Sequence, residues 1–191
     1  MAIATRELYF ETGLEVLSEM GVGGLKLAEV CTRVGVTTGS FYHYFPSWKV
    51  YTQELLAYWR NDRTIQVIEA LREVVGGPRE RLEAGIQPAL SFPHNAEAAI
   101  RAWSSVDPYV LRIQTEVDQQ RFDFVYETAM EMVDAPRQAE AFAQWCMYIL
   151  IGFEQATLPR DPAIFEWLIL RTLDRLESGT FDSVPSAVGG P

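Results

Sequence analysis

Residues 27 to 45 read LAEVCTRVGVTTGSFYHYF, and from Thr37 onward the polar side chains are hydroxyls and one imidazole. Thr37, Thr38, Ser40, Tyr42 and His43 can donate and accept hydrogen bonds, and Gly39 among them lets a backbone come close to whatever they touch. That is the chemistry of contact, suited to base edges and phosphate oxygens. Bond-making chemistry has little material to work with. The chain holds two histidines, His43 and His94, with no Glu-x-x-His pair and no Gly-x-Ser-x-Gly. The run Gly21 to Lys26 lacks the preceding strand and the spacing of a phosphate-binding loop, so its glycines read as a helix stop and a turn. We therefore expect no catalytic residue, no metal site and no cofactor.

The contact residues need a rigid mount, and two short helices at about 27–34 and 38–44 supply one. Gly35 is the pivot between them, because a residue leaving a helix in the left-handed region costs little only as glycine. Cys31 is small enough for the second helix to approach. Val30, Val34, Val36, Phe41 and Tyr44 fall at spacings that pack the pair together, and Thr37 is placed to cap the second helix. Thr38, Gly39, Ser40, Tyr42 and His43 are then left on its outer, N-terminal side, the part of a recognition helix that enters the major groove. Lys26, Arg33 and Lys49 add sequence-independent attraction to phosphate.

These residues carry a resemblance. The segment from Thr5 to Tyr51, about a quarter of the chain, resembles the DNA-binding region of the TetR (tetracycline repressor) family. That family's run V-S/T-x-G-x-aromatic-Y-x-H/Y-F is met by Val36, Thr37, Thr38, Gly39, Ser40, Phe41, Tyr42, His43, Tyr44 and Phe45. Gly21 and the pair Val30-Cys31 also stand where the family has Gly and Ile-Ala. Two positions depart: Lys26 replaces a usual Thr, and Trp48 replaces a usual Lys, leaving Lys49 one residue displaced. The resemblance implies a helix-turn-helix head that contacts double-stranded DNA through Lys26, Thr37, Thr38, Gly39, Ser40, Tyr42, His43 and Lys49. It further implies a homodimer on a palindromic operator, released by a small-molecule effector.

Charge is spread unevenly around this head. The chain carries a net charge of −10, of which residues 1 to 50, with four basic and five acidic side chains, hold −1. An acidic body behind a near-neutral head suits a DNA reader whose acidic half faces away. Apolar residues recur at three and four along the whole length, so the fold class is all-α. The first helix runs from about Ile3 to Met20. A long fourth helix, capped by Ser47, reaches about Val75 before Gly76-Gly77-Pro78. Further helices follow at about 78–90, from an Asn95 cap to Val106, and at 108–133, 136–157 and 162–178. Asp107-Pro108 and Asp161-Pro162 mark the sharpest starts. The expected organisation is a DNA-binding head at 1–46, a helical-bundle ligand and dimerisation domain at 47–179 and a disordered tail at 180–191.

In the body, Phe92, Trp103, Phe122, Tyr126, Trp145 and Tyr148 give an aromatic-rich interior, which the resemblance implies is the lining of a pocket for a largely apolar effector. The last two long helices are apolar on more than one face, and Phe142, Ile149, Phe153, Phe165 and Leu168 are expected at the dimer interface. Both cysteines read as reduced and packed. The longest apolar run, Trp145 to Phe153, is too short for a membrane span, and no secretory signal is read, so a cytoplasmic protein is expected. The rival readings are a helical adaptor that never binds DNA and a small helical-bundle enzyme.

Overall fold

The computed structural model describes residues 4–179 together with Phe181 and Val184. Most of the tail expected at 180–191, and the helix start expected at Ile3, therefore lie outside the described residues. Those that are described form α-helices and one π turn, with no strand among them. The elements are α1 (Arg6–Gly24), α2 (Leu27–Val34), α3 (Thr38–Tyr44), α4 (Trp48–Arg60), a π turn (Asn61–Ile65), α5 (Gln66–Arg72), α6 (Pro78–Ala84), α7 (Ile86–Ser91), α8 (His94–Ser104), α9 (Pro108–Met130), α10 (Pro136–Gln155) and α11 (Pro162–Glu177).

Local chemistry sets most of the boundaries. The Asp107 carboxylate accepts from the Tyr109 N–H at 2.9 Å, and that of Asp161 accepts from Ala163 and Ile164 at 3.0 and 3.2 Å. Both are the starts at which an aspartate precedes proline. Gly21 has φ 64° and kinks α1 where the first helix was expected to stop.

Three boundaries differ from the periodicity. The expected helix at 78–90 breaks in two because Pro88 has no N–H for the carbonyl of Ala84, the last residue of α6. Helix α8 opens one residue before the expected Asn95 cap, with the Pro93 carbonyl accepting from Ala96 and Glu97 at 2.7 and 3.1 Å. The long fourth helix is interrupted by the π turn and ends at Arg72. Trp59 and Thr64 are both buried. Residues five apart diverge by about 140° around an α-helix, whereas the wider π turn returns them to one face.

By packing, the residues group into two compact units, one of residues up to 64 with 93–117 and the other of 65–92 with 118 onward. In the first unit α1 packs along α8. Its core joins Tyr9, Phe10, Leu14 and Leu17 of α1 to Phe41, Phe45, Tyr51, Leu55, Trp59, Ile100 and Val110. Gly13 makes the closest approach possible: a Cβ there would lie 2.3 Å from the Tyr51 hydroxyl, which donates to the Tyr9 carbonyl at 2.8 Å. The second unit is built on Leu71, Leu82, Phe124, Ala139, Phe142, Leu173 and Leu176. Arg79 of α6 there binds Glu83, Asp174 and Glu177.

One polar contact sits deep in the first unit. The indole N–H of Trp59 donates to the Glu97 carboxylate at 2.6 Å, with both residues buried. Glu97→Ala strands that donor away from water, at a cost of about 2 kcal/mol. Thermal unfolding should show a midpoint lowered by roughly 4–8 °C. An unchanged midpoint would mean the bond contributes nothing to the fold.

Candidate nucleic-acid interface

The head is built on the bend at Gly35, whose φ of 77° and ψ of 35° are left-handed. Its N–H and that of Val36 both return to the Cys31 carbonyl at 3.0 Å, closing α2 before the chain turns. Thr37 then caps α3, its hydroxyl accepting from the Ser40 N–H at 3.2 Å. Phe41 and Phe45, four apart and therefore on one face, are fully buried. The Phe41 ring meets Tyr9 edge-on at 5.7 Å and that of Phe45 meets Tyr51 at 5.1 Å. Tyr44, half-buried, sends its hydroxyl to the Ala4 carbonyl at 2.6 Å.

With that face committed, Thr38, Gly39, Tyr42 and His43 are exposed, Tyr42 by 52 % of its surface. Ser40, expected in the outward set, is half-buried. Thr37 is exposed as well as capping. A Cβ at Gly39 would meet Thr37 Oγ1 at an ordinary 3.6 Å, and no positive φ occurs there. The protein's interior therefore does not require glycine at 39. Its effect is to keep the outer surface of α3 low.

The cations of the head divide into two kinds. Arg33 is bound to Glu19 at 2.8 Å and to Glu29 at 2.7 Å, and these carboxylates raise its pKa. Its charge is spent within the protein, which removes it from the three expected to attract phosphate. Lys26 and Lys49 are exposed and in no ion pair among the described residues. Lys26 occupies the position before α2, and Lys49 the first turn of α4, which Ser47 caps through the Val50 N–H at 3.2 Å. Trp48 is half-buried, its ring 4.8 Å from that of Tyr51 and 5.9 Å from that of Phe41. The indole thus packs onto the core, and the neighbouring lysine takes the outward position.

Elsewhere the aromatic candidates do not converge on one interior. Phe92 is buried in the second unit, and Phe122 and Tyr126, half-buried, stack with centroids 6.1 Å apart. Trp103 packs against the core of the first unit. Trp145 and Tyr148 of α10 are 43 % and 65 % exposed, although the Trp145 ring meets that of buried Phe181 edge-on at 5.5 Å. Conversely Phe142 and Phe165, expected at an interface, are buried within the protomer. Ile149 and Phe153 are half-buried and Leu168 is exposed. Each helix is apolar on two faces, and periodicity does not say which of them the core takes. The uncovered apolar side chains are Trp145, Tyr148, Ile164, Trp167 and Leu168.

The sequence reading missed a buried charge pair in the second unit. Arg121 of α9 and Glu154 of α10 are 7 % and 1 % exposed, 3.8 Å apart, with the guanidinium 4.8 Å from the centre of the Phe92 ring. Neither stands out in a chain that is 22 % charged. Among the described residues no group of His, Cys, Asp and Glu is placed to hold a metal ion, and no helix is long and apolar enough to cross a membrane.

The sequence model of bacterial regulatory proteins of the tetR family matches residues 10–48, which span α2 and α3 and the elements that brace them. Over those residues the chain is similar to the DNA-binding region of the tetR family. No curated protein sequence matches it. Solved structures extend the likeness of fold to the whole chain. A TetR-family transcriptional regulator from Streptomyces coelicolor superposes with a TM-score of 0.76 at 15 % identity, over 91 % of this chain and 94 % of that one. Reduced NemR from E. coli gives 0.71 at 20 %, over 90 % and 96 %. A candidate transcriptional regulator from Saccharomonospora viridis in complex with choline gives 0.75 at 14 %, over 88 % and 95 %. The described residues are accordingly all-helical, with a helix-turn-helix head similar to that of bacterial regulatory proteins of the tetR family.

Burial favours the protonated form of both thiols of this protein. Burial raises the Cys31 thiol and pushes that of Cys146 up to about 12. At pH 8 a thiol of that pKa is thiolate in about one molecule in ten thousand, and the thiolate is the nucleophile. Alkylation of the native protein at pH 8 should be far slower than that of the chain unfolded in guanidinium, and should accelerate as pH rises through 9 to 11. Rapid native modification at pH 8 would contradict this.

Proposed function

We propose that this protein is a repressor that reads a palindromic DNA operator as a homodimer and is released when a small molecule binds its body. The observation that carries the reading is the outward display of Thr38, Gly39, Tyr42 and His43 beside two unspent cations, Lys26 and Lys49. Thr38, Tyr42 and His43 supply donors for base edges and phosphate oxygens, Gly39 lets the backbone approach, and Thr37 contacts the sugar-phosphate chain while capping α3. Lys26 and Lys49 flank α3 and supply the salt-dependent attraction. In this division residues 1–46 read DNA, and residues 47–179 bind effector and partner.

The twofold partner covers the apolar side chains of α10 and α11, Trp145, Tyr148, Ile164, Trp167 and Leu168. So many exposed aromatic and aliphatic groups on two consecutive long helices suit an interface between copies. A symmetric pair presents two recognition helices about 34–36 Å apart, one turn of DNA. The effector is a small, largely apolar molecule in the second unit, where Phe92, Phe122 and Tyr126 offer rings and the pair Arg121–Glu154 offers polar anchorage. The choline held by the Saccharomonospora protein supports a small-molecule ligand for a body of this fold. Effector and operator weaken each other by equal factors, as linkage requires.

Two measurements test the reading. On a duplex selected by the wild-type protein from a random-sequence library, Tyr42→Ala should bind roughly tenfold more weakly with an unchanged unfolding midpoint, and Lys49→Ala should lower the salt slope by about one. Failure of the wild-type protein to select any duplex would favour the adaptor reading. Trp167→Glu should sediment as a monomer, because it places a charge at the centre of the covered face; a persistent dimer would locate the interface elsewhere.

A further inference from the structure

Arg6 stands in the first turn of α1, yet it converges on the far end of α3. Its guanidinium donates to the carbonyl oxygen of Tyr44, the last residue of α3. It also pairs with Glu54 of α4 and lies 4.5 Å from the centre of the Phe45 ring. The bond is reciprocated, since the Tyr44 hydroxyl donates to the Ala4 carbonyl just before α1. Two bonds running in opposite directions therefore join the start of α1 to the end of α3, and the ion pair joins both to α4.

This placement meets a specific need. Helix α3 has seven residues, too few to hold a helix without bracing. Thr37 secures its N-terminus, while the C-terminal carbonyls carry the negative end of the helix dipole and are met best by a fixed cation. A planar guanidinium can bind a carbonyl and a carboxylate with its fork while its face rests on a ring, and an ammonium cannot do all three.

We propose that Arg6 is a positioning residue for DNA reading, a clamp that sets the height and rotation of α3 without touching phosphate. This rests on the DNA-reading function proposed above. The Arg6 and Glu54 side chains are 46 % and 36 % exposed, and an ion pair so open to water adds little to stability. The value of the clamp is geometric. Its charge is engaged by Glu54 and the Tyr44 carbonyl, unlike the charges of Lys26 and Lys49.

Arg6→Lys and Arg6→Gln test the assignment. Both should bind the selected duplex about tenfold more weakly, the effect of losing a charge-assisted bond. For Arg6→Lys the salt slope and the affinity for a scrambled duplex should stay at wild-type values, with the unfolding midpoint within about 3 °C. Hydrogen exchange of the free protein should show amides of residues 38–45 exchanging about tenfold faster in both variants, with the rest of the first unit unaltered. Full affinity in Arg6→Lys together with a slope lowered by about one in Arg6→Gln would make Arg6 a phosphate contact and overturn the proposal. Unaltered exchange in α3 would overturn it as well. Should Arg6→Gln fail to fold, Glu54→Gln, which keeps the arginine, should reproduce the loss in smaller measure, and wild-type behaviour there would overturn the clamp. A wild-type protein that selects no duplex would overturn DNA reading and with it the role of Arg6. Failure of the variant measurements alone removes the clamp and leaves DNA reading standing.

Discussion

Burial of Phe41 and Phe45 against Tyr9 and Tyr51 is the interaction on which the rest of the head depends. A helix of seven residues has almost no preferred rotation of its own, and two aromatic rings four residues apart set one, because both must leave water together. Once they are seated, Tyr42 and His43 have nowhere to point but outward. The left-handed turn at Gly35 and the absent Cβ at Gly13 allow the approach of backbone and ring that this seating requires.

The electrostatics of the head follow the same economy. In a chain of net charge −10, few cations of the head are left free of carboxylates. Arg33 is held by Glu19 and Glu29, and Arg6 by Glu54 and the end of α3, so the two arginines of the head serve its geometry. The two lysines, compact charges on flexible stems, are left to solvent, one just before α2 and one in the first turn of α4. Arginine for internal bracing and lysine for diffuse attraction is the division their donor geometries favour.

In the second unit, Arg121 and Glu154 are withdrawn from water at a cost that well-packed apolar residues would not incur. Their presence beside Phe92 gives an otherwise hydrophobic interior a polar focus. On α10 and α11 the balance runs the other way, with tryptophan and tyrosine left uncovered.

Periodicity, the glycine at 35 and the aspartate-proline pairs were enough to determine an all-helical chain, most helix boundaries and the two short helices of the head, because these depend on residues within a turn or two of each other. The outward set at Thr38, Gly39, Tyr42 and His43 was legible for the same reason. Tertiary packing decided the rest. It seated Trp48 on the core so that Lys49 faces out, and spent Arg33 on Glu19, fourteen residues away along the chain. It also chose between the two apolar faces of α10 and α11, burying Phe142 and Phe165 and leaving Trp145 and Tyr148 exposed. A sequence pattern records that a face is apolar, but which face is covered, and which charge finds a partner, depends on neighbours that only the folded chain brings within reach.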